Sequence, residues 1–187
     1  TYMLDLWMGA KATSGRLAFL YYYQMLEYAA FYFIEDQVKL RVEKILRQPN
    51  ILSSMDTCLA QVVDEIVDYK LSDEAKLTAV VKRTVNPDKV WAVIEQYKGA
   101  FVQPQQFDGG LAIESFIKDS WTADDFSNIW IPKLPDKLRQ IRNALVHSRE
   151  SRMGKVIAPT RANSAKIMPW VRVVEEIACQ VAIYRNL

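Results

Sequence analysis

The 187 residues are half apolar and 11% aromatic, with only six glycines and seven prolines, the make-up of one globular domain long enough to bury a real core. Cys58 and Cys179 lie far apart and His147 is the only histidine, which excludes a zinc cluster or a disulfide framework and points to a reduced, cytoplasmic chain with neither metal nor cofactor. The net charge of +2 hides a division, because Lys133 to Arg172 holds ten basic residues against two acidic ones, +8, leaving −6 elsewhere.

The chain opens on Thr1 without the charged, apolar and small-residue succession of a signal peptide, so residues 1–187 are expected to form a single domain that is a piece of something longer. From Leu17 to Ile34 only Gln24 and Glu27 are neither apolar nor aromatic. A membrane span is rejected, since five tyrosines and a central carboxylate are costly in hydrocarbon and the run continues as an amphipathic segment, Glu35 to Gln48. Ser14 is its expected N-cap, and Pro49-Asn50 its end. A helix apolar on every side is the centre of a bundle or lies against a second subunit. Three shorter helices are expected: Ser54 to Tyr69, one after the cap Ser72, and one opened by Asn86-Pro87. Gly99 to Gly110 reads as a long loop, and Thr122 caps a short helix within Ala112 to Trp130. Pro132 and Pro135 lead into a helix from Leu134 to Ser151, and a last helix runs from Pro169 to the end. No alternating strand pattern appears, although Val156 to Ala158 suits a brief extended piece. The expected fold is an all-α bundle of about five or more helices.

The basic third reads either as a solvated surface or as an electrostatic footprint for a polyanion. On the helix within it, Leu134, Leu138, Ile141 and Leu145 form one narrow apolar stripe. At about 100° per residue, Asn143 and His147 project away from that stripe and Arg142 sits on its shoulder. As i, i+4 neighbours, Asn143 and His147 can hydrogen-bond, which would hold the imidazole in one tautomer.

The string Ile141-Arg142-Asn143-Ala144-Leu145-Val146-His147-Ser148 resembles the R-x4-6-H motif of the HEPN superfamily of helical RNases and RNase-related domains. In that family the motif often begins Arg-Asn and lies on a helix close to the C-terminus of a small bundle. The resemblance implies metal-independent RNA cleavage by attack of the ribose 2′-hydroxyl on the adjacent phosphate. His147 suits proton transfer, because an imidazole titrates near neutrality, Arg142 suits the phosphate through its charged fork, and Asn143 would orient the site. One chain offers one histidine, and the family commonly builds its site across a homodimer. Pairing of the motif helices would supply the second histidine and would also hide the surplus apolar surface of the first long helix, unless that helix is simply the core.

Glu27, a carboxylate amid Tyr, Met, Leu and Phe, needs a partner, either an arginine or a tyrosine hydroxyl, and Arg142 is the most interesting one. Related helical RNases often place an acidic residue on an early helix near the motif; otherwise Glu27 is a buried pair without chemistry. Arg139, Arg149 and Arg152 are the expected RNA contacts. Two function classes follow: an endoribonuclease of the toxin or antiphage type, with RNA as substrate and an antitoxin or covalently linked sensor domain as partner, or a non-catalytic dimerising or RNA-binding module of a larger protein. Neither needs a membrane. What separates them is whether Arg142 and His147 converge on an open cleft or are sealed by packing.

Overall fold

The computed structural model describes residues 2–68, 72–147 and 155–184, which form an all-α bundle. Its axis is α2, Gly15–Leu46, on which α1 (Tyr2–Ala12), α3 (Met55–Asp68), α4 (Asp73–Thr84), α7 (Ala123–Val146) and α8 (Arg161–Tyr184) all pack. Between α4 and α7 come α5 (Pro87–Gln96) and α6 (Lys98–Val102), with α5 wedged between α7 and α8. The apolar surround of α2 is therefore largely used inside one chain: Phe19, Tyr22, Tyr23, Met25, Leu26, Ala29 and Ala30 are buried. Among the described residues, no helix is long and apolar enough to cross a membrane.

Local chemistry places the short helices as expected. Ser72 Oγ accepts from the Ala75 amide at 3.2 Å and Asn86 Oδ1 from the Asp88 amide at 2.8 Å, each satisfying a donor that the first helical turn leaves unpaired. Ser14 stands at the N-cap of α2, but its side chain makes no capping bond.

Several expectations need correction. Residues 2–12 form a helix, α1, which buries Met3, Leu6 and Ala10 against the bundle. The loop expected over Gly99 to Gly110 is shortened by α6 and by a two-residue strand, β1 (Gln105–Gln106), antiparallel to β2 (Ala112–Ile113). The short helix capped by Thr122 and the helix expected from Leu134 are one element, α7, running through Pro132 and Pro135. Its buried stripe explains the continuity: Phe126, Trp130, Leu134, Leu138, Ile141 and Leu145 recur every three or four residues, and their burial outweighs the backbone bonds that the prolines remove. The last helix begins at Arg161, not Pro169, which lies buried inside it.

The start of α8 is set by a contact distant in sequence. Asn163, fully buried, accepts from the Asp108 amide at 2.9 Å and donates through Nδ2 to the carbonyls of Asp108 (2.9 Å) and Ala158 (2.8 Å). Thr160 Oγ1 donates to Asp108 Oδ2 at 2.7 Å. Beside this clamp the extended piece at Val156 to Ala158 forms a parallel bridge to Gly110. Gly109, at φ +105, leaves no room for a side chain: a Cβ there would lie 2.6 Å from the Val156 carbonyl oxygen.

Candidate functional site

The apolar stripe of α7 is buried, so the helix presents Arg142 and Asn143 on its partly open side, facing the middle of α2. There Arg142 Nη2 meets Glu27 Oε1 at 3.2 Å, and Arg142 Nη1 donates to Asn143 Oδ1 at 3.2 Å. Three of the four candidate catalytic residues are thus joined in one chain of contacts from α2 to α7. The partner expected for Glu27 is the one it has, but the setting differs. Glu27 is not sealed in the core: its side chain is 42% exposed, and that of Arg142 33%.

The pair lines an open cleft of about 320 Å³ between α2, α4 and α7. Buried Tyr23, Ala30 and Leu77 and the more exposed Phe31 contribute its lining, and Asp73 and Glu74, from the first turn of α4, bring two further carboxylates. Glu27, Asp73 and Glu74 therefore stand against Lys76, Arg139 and Arg142, so the cleft carries both signs in equal number. Partial burial raises the Glu27 carboxyl above its ordinary 4.5; Arg142 opposes that shift and Asp73 adds to it. Burial, reinforced by Glu27, pushes the Tyr23 phenol up to about 12. A guanidinium has five N–H donors, so Arg142 can bind Glu27 and Asn143 and still offer donors to an anion entering the cleft.

His147 lies away from the apolar stripe, as expected, but at the end of the helix and not within it. The helix ends at Val146, and His147 is its C-cap at φ −80, ψ 102, with its amide donating to the Asn143 carbonyl at 3.0 Å. The side chain is exposed and lies outside the cleft lining. The Asn143 side-chain oxygen accepts from Arg142 and not from the imidazole. Two contacts fix this helix end: Arg16 Nη2 donates to the Leu145 carbonyl at 3.1 Å, and the Ile157 amide donates to that of Ala144 at 2.9 Å. Arg16 carried no local signal in the sequence. Tyr23 did, being i, i+4 to Glu27, and so did Asp73 and Glu74 as first-turn acids.

The proposed RNA contacts divide. Arg139 is held by Asp136 at 2.6 Å and faces Glu74 at 3.5 Å, while Arg149 and Arg152 lie outside the described residues. Other cations of the basic third are also engaged: Arg172 pairs with Glu175 at 2.7 Å, and Lys166 donates to the Gln106 carbonyl at 2.7 Å. Among the described residues, no group of three or more His, Cys, Asp or Glu side chains is arranged to hold a metal ion. No protein-family model, curated protein or solved structure matches this chain.

Proposed function

We propose that the chain is a cytoplasmic, metal-independent endoribonuclease of the toxin or antiphage type, cutting RNA at a site shared across a homodimer. The observation that carries this reading is the Glu27–Arg142–Asn143 linkage, which lies in an open cleft that leaves guanidinium donors within reach of an entering phosphate. In the reaction, a base takes the 2′-hydroxyl proton, the oxygen attacks the adjacent phosphorus, and the bond to the 5′-oxygen breaks as that oxygen is protonated. A cyclic phosphate and a 5′-hydroxyl end result. Arg142 neutralises the pentacoordinate phosphate, and His147 moves a proton. Glu27 holds the guanidinium in place, and its raised affinity for a proton suits it to exchange one as well. An antitoxin or a linked sensor domain would restrain such an activity.

His147 stands at the exposed end of α7, so a second copy must complete the site. That same position favours a second reading, a non-catalytic HEPN-like dimerisation or RNA-binding module, in which His147 is only a helix cap. Labelled RNA incubated with the purified chain in chelator separates the two. The nuclease reading expects products with cyclic phosphate ends, lost in Arg142→Ala. A folded chain that binds RNA without cutting any leaves the module.

A further inference from the structure

The cleft between α2, α4 and α7 carries acids that the cleavage chemistry above does not use. Glu27 holds Arg142, whereas Asp73 and Glu74 line the same opening from the first turn of α4. A carboxylate repels phosphate, so three acids in one cleft oppose entry of the RNA backbone by itself. They favour a ligand that brings N–H donors with it. A nucleobase does so, because its edge carries donors and acceptors while its ring is flat and stacks on aromatic side chains.

Glu74 and Arg139 present an edge that such a base can match. Arg139 Nε meets Glu74 Oε2 at 3.5 Å, a loose pair in which that nitrogen, shielded from solvent, has no hydrogen-bond partner among the described residues. The Glu74 side chain is 53% exposed and that of Arg139 40%, so the pair is open to the cleft. Carboxylate oxygens beside a guanidinium are two acceptors followed by donors. Guanine alone among the four RNA bases has the complement on its pairing edge, with the N1–H and N2–H donors beside the O6 acceptor. Uracil offers one N–H between two carbonyls, and adenine and cytosine each offer one amino group beside a bare ring nitrogen.

Two neighbours suit the rest of a nucleotide. Phe31, one helical turn beyond Glu27 on α2, is 46% exposed in the same opening, with Lys76 Nζ 5.9 Å from its ring centroid, and gives a base an apolar wall to lie against. Arg142 follows Arg139 by three residues and shares its face of α7, so a base held at Glu74 and Arg139 directs its phosphate towards Arg142.

We propose that Glu74, Arg139 and Phe31 form a guanine-reading subsite, so that the cleft takes RNA at a guanosine and Arg142 receives the phosphate 3′ to it. The inference rests on the reading of this cleft as an RNA site and names the base that the site selects. Glu74 and Arg139 touch the base and set specificity.

Calorimetric titration of the full chain with the 3′-monophosphates of guanosine, adenosine, cytidine and uridine tests it without any cleavage. Guanosine 3′-monophosphate should bind about tenfold tighter than the other three, or more, the difference that one bidentate pair makes. Glu74→Gln keeps the size of an exposed side chain and replaces one acceptor with a donor, so the fold should persist by circular dichroism while the preference is lost. Phe31→Ala should weaken all four nucleotides alike. Equal binding of the four, no binding of any at millimolar concentration, or a guanosine preference that survives Glu74→Gln each overturns the subsite, whether or not the chain cuts RNA. A guanosine preference in a chain that cuts no RNA keeps the subsite and removes the nuclease reading. In a chain that does cut, cleavage should fall on the 3′ side of guanosine, and cuts made without regard to base overturn the subsite and leave the nuclease.

Discussion

Glu27 and Glu175 are both flanked by arginine, and their surroundings send them in opposite directions. Burial alone would raise Glu175, but hydrogen bonds from Lys11, Arg172 and Tyr22 outweigh it and bring the carboxyl below 4.5. The stabilisation from this acid is therefore present above about pH 4.5 and is lost as pH falls through its lower folded value. Glu175→Gln should cost about 2 kcal/mol at neutral pH, the order expected when a charged hydrogen-bond hub is removed. The loss should shrink in acid. For Glu27 the sign reverses: its folded value is raised, so its relative contribution is full below about pH 4.5 and falls as pH rises through the folded value. Glu27→Gln should leave neutral-pH stability unchanged or slightly higher, and any activity of the cleft lower. Urea midpoints for both variants between roughly pH 3 and 7 check the pair of signs.

At the scale of the element, caps were legible and long-range anchors were not. Thr122 and Asp125 form a reciprocal capping box, and Asp125 is held below its ordinary range by the Thr122 amide and hydroxyl. Thr122→Ala should cost about 1 kcal/mol, read as a lowered thermal midpoint. Ser72, Asn86 and Thr122 could be read from sequence because a cap is written within four residues. The start of α8 could not, because Asn163 is anchored on Asp108 through contacts that no local pattern encodes. Asn163→Ala would leave the Asp108 amide unpaired and take one of two donors from each of the carbonyls of Asp108 and Ala158, and it should destabilise by about 2 kcal/mol, as judged by chemical denaturation. The prolines of α7 misled for a related reason: local geometry argued for a break, and the buried stripe from Phe126 to Leu145 overrode it. In the cleft, the cost of an unpaired carboxylate called for a partner to Glu27, an arginine or a tyrosine hydroxyl, and the structure supplies Arg142. The exposure of Glu27 and the capping role of His147 depend instead on where α4 packs and where α7 stops.

Across the whole molecule, the proposed RNA recognition would have to draw on cations outside the charge-balanced cleft. If the basic third grips phosphate, binding should weaken steeply with salt, and Arg149→Ala with Arg152→Ala should lower both the affinity and the salt slope. Filter binding over a salt series measures both. The proposed chemistry is decided by incubating labelled RNA in chelator with the natural chain, Arg142→Ala and His147→Ala. We expect the natural chain to leave cyclic phosphate ends and each variant, still helical, to be slower by roughly 10² to 10⁴-fold for His147 and 10² to 10³-fold for Arg142. Undiminished cleavage by a well-folded His147→Ala chain would contradict the account.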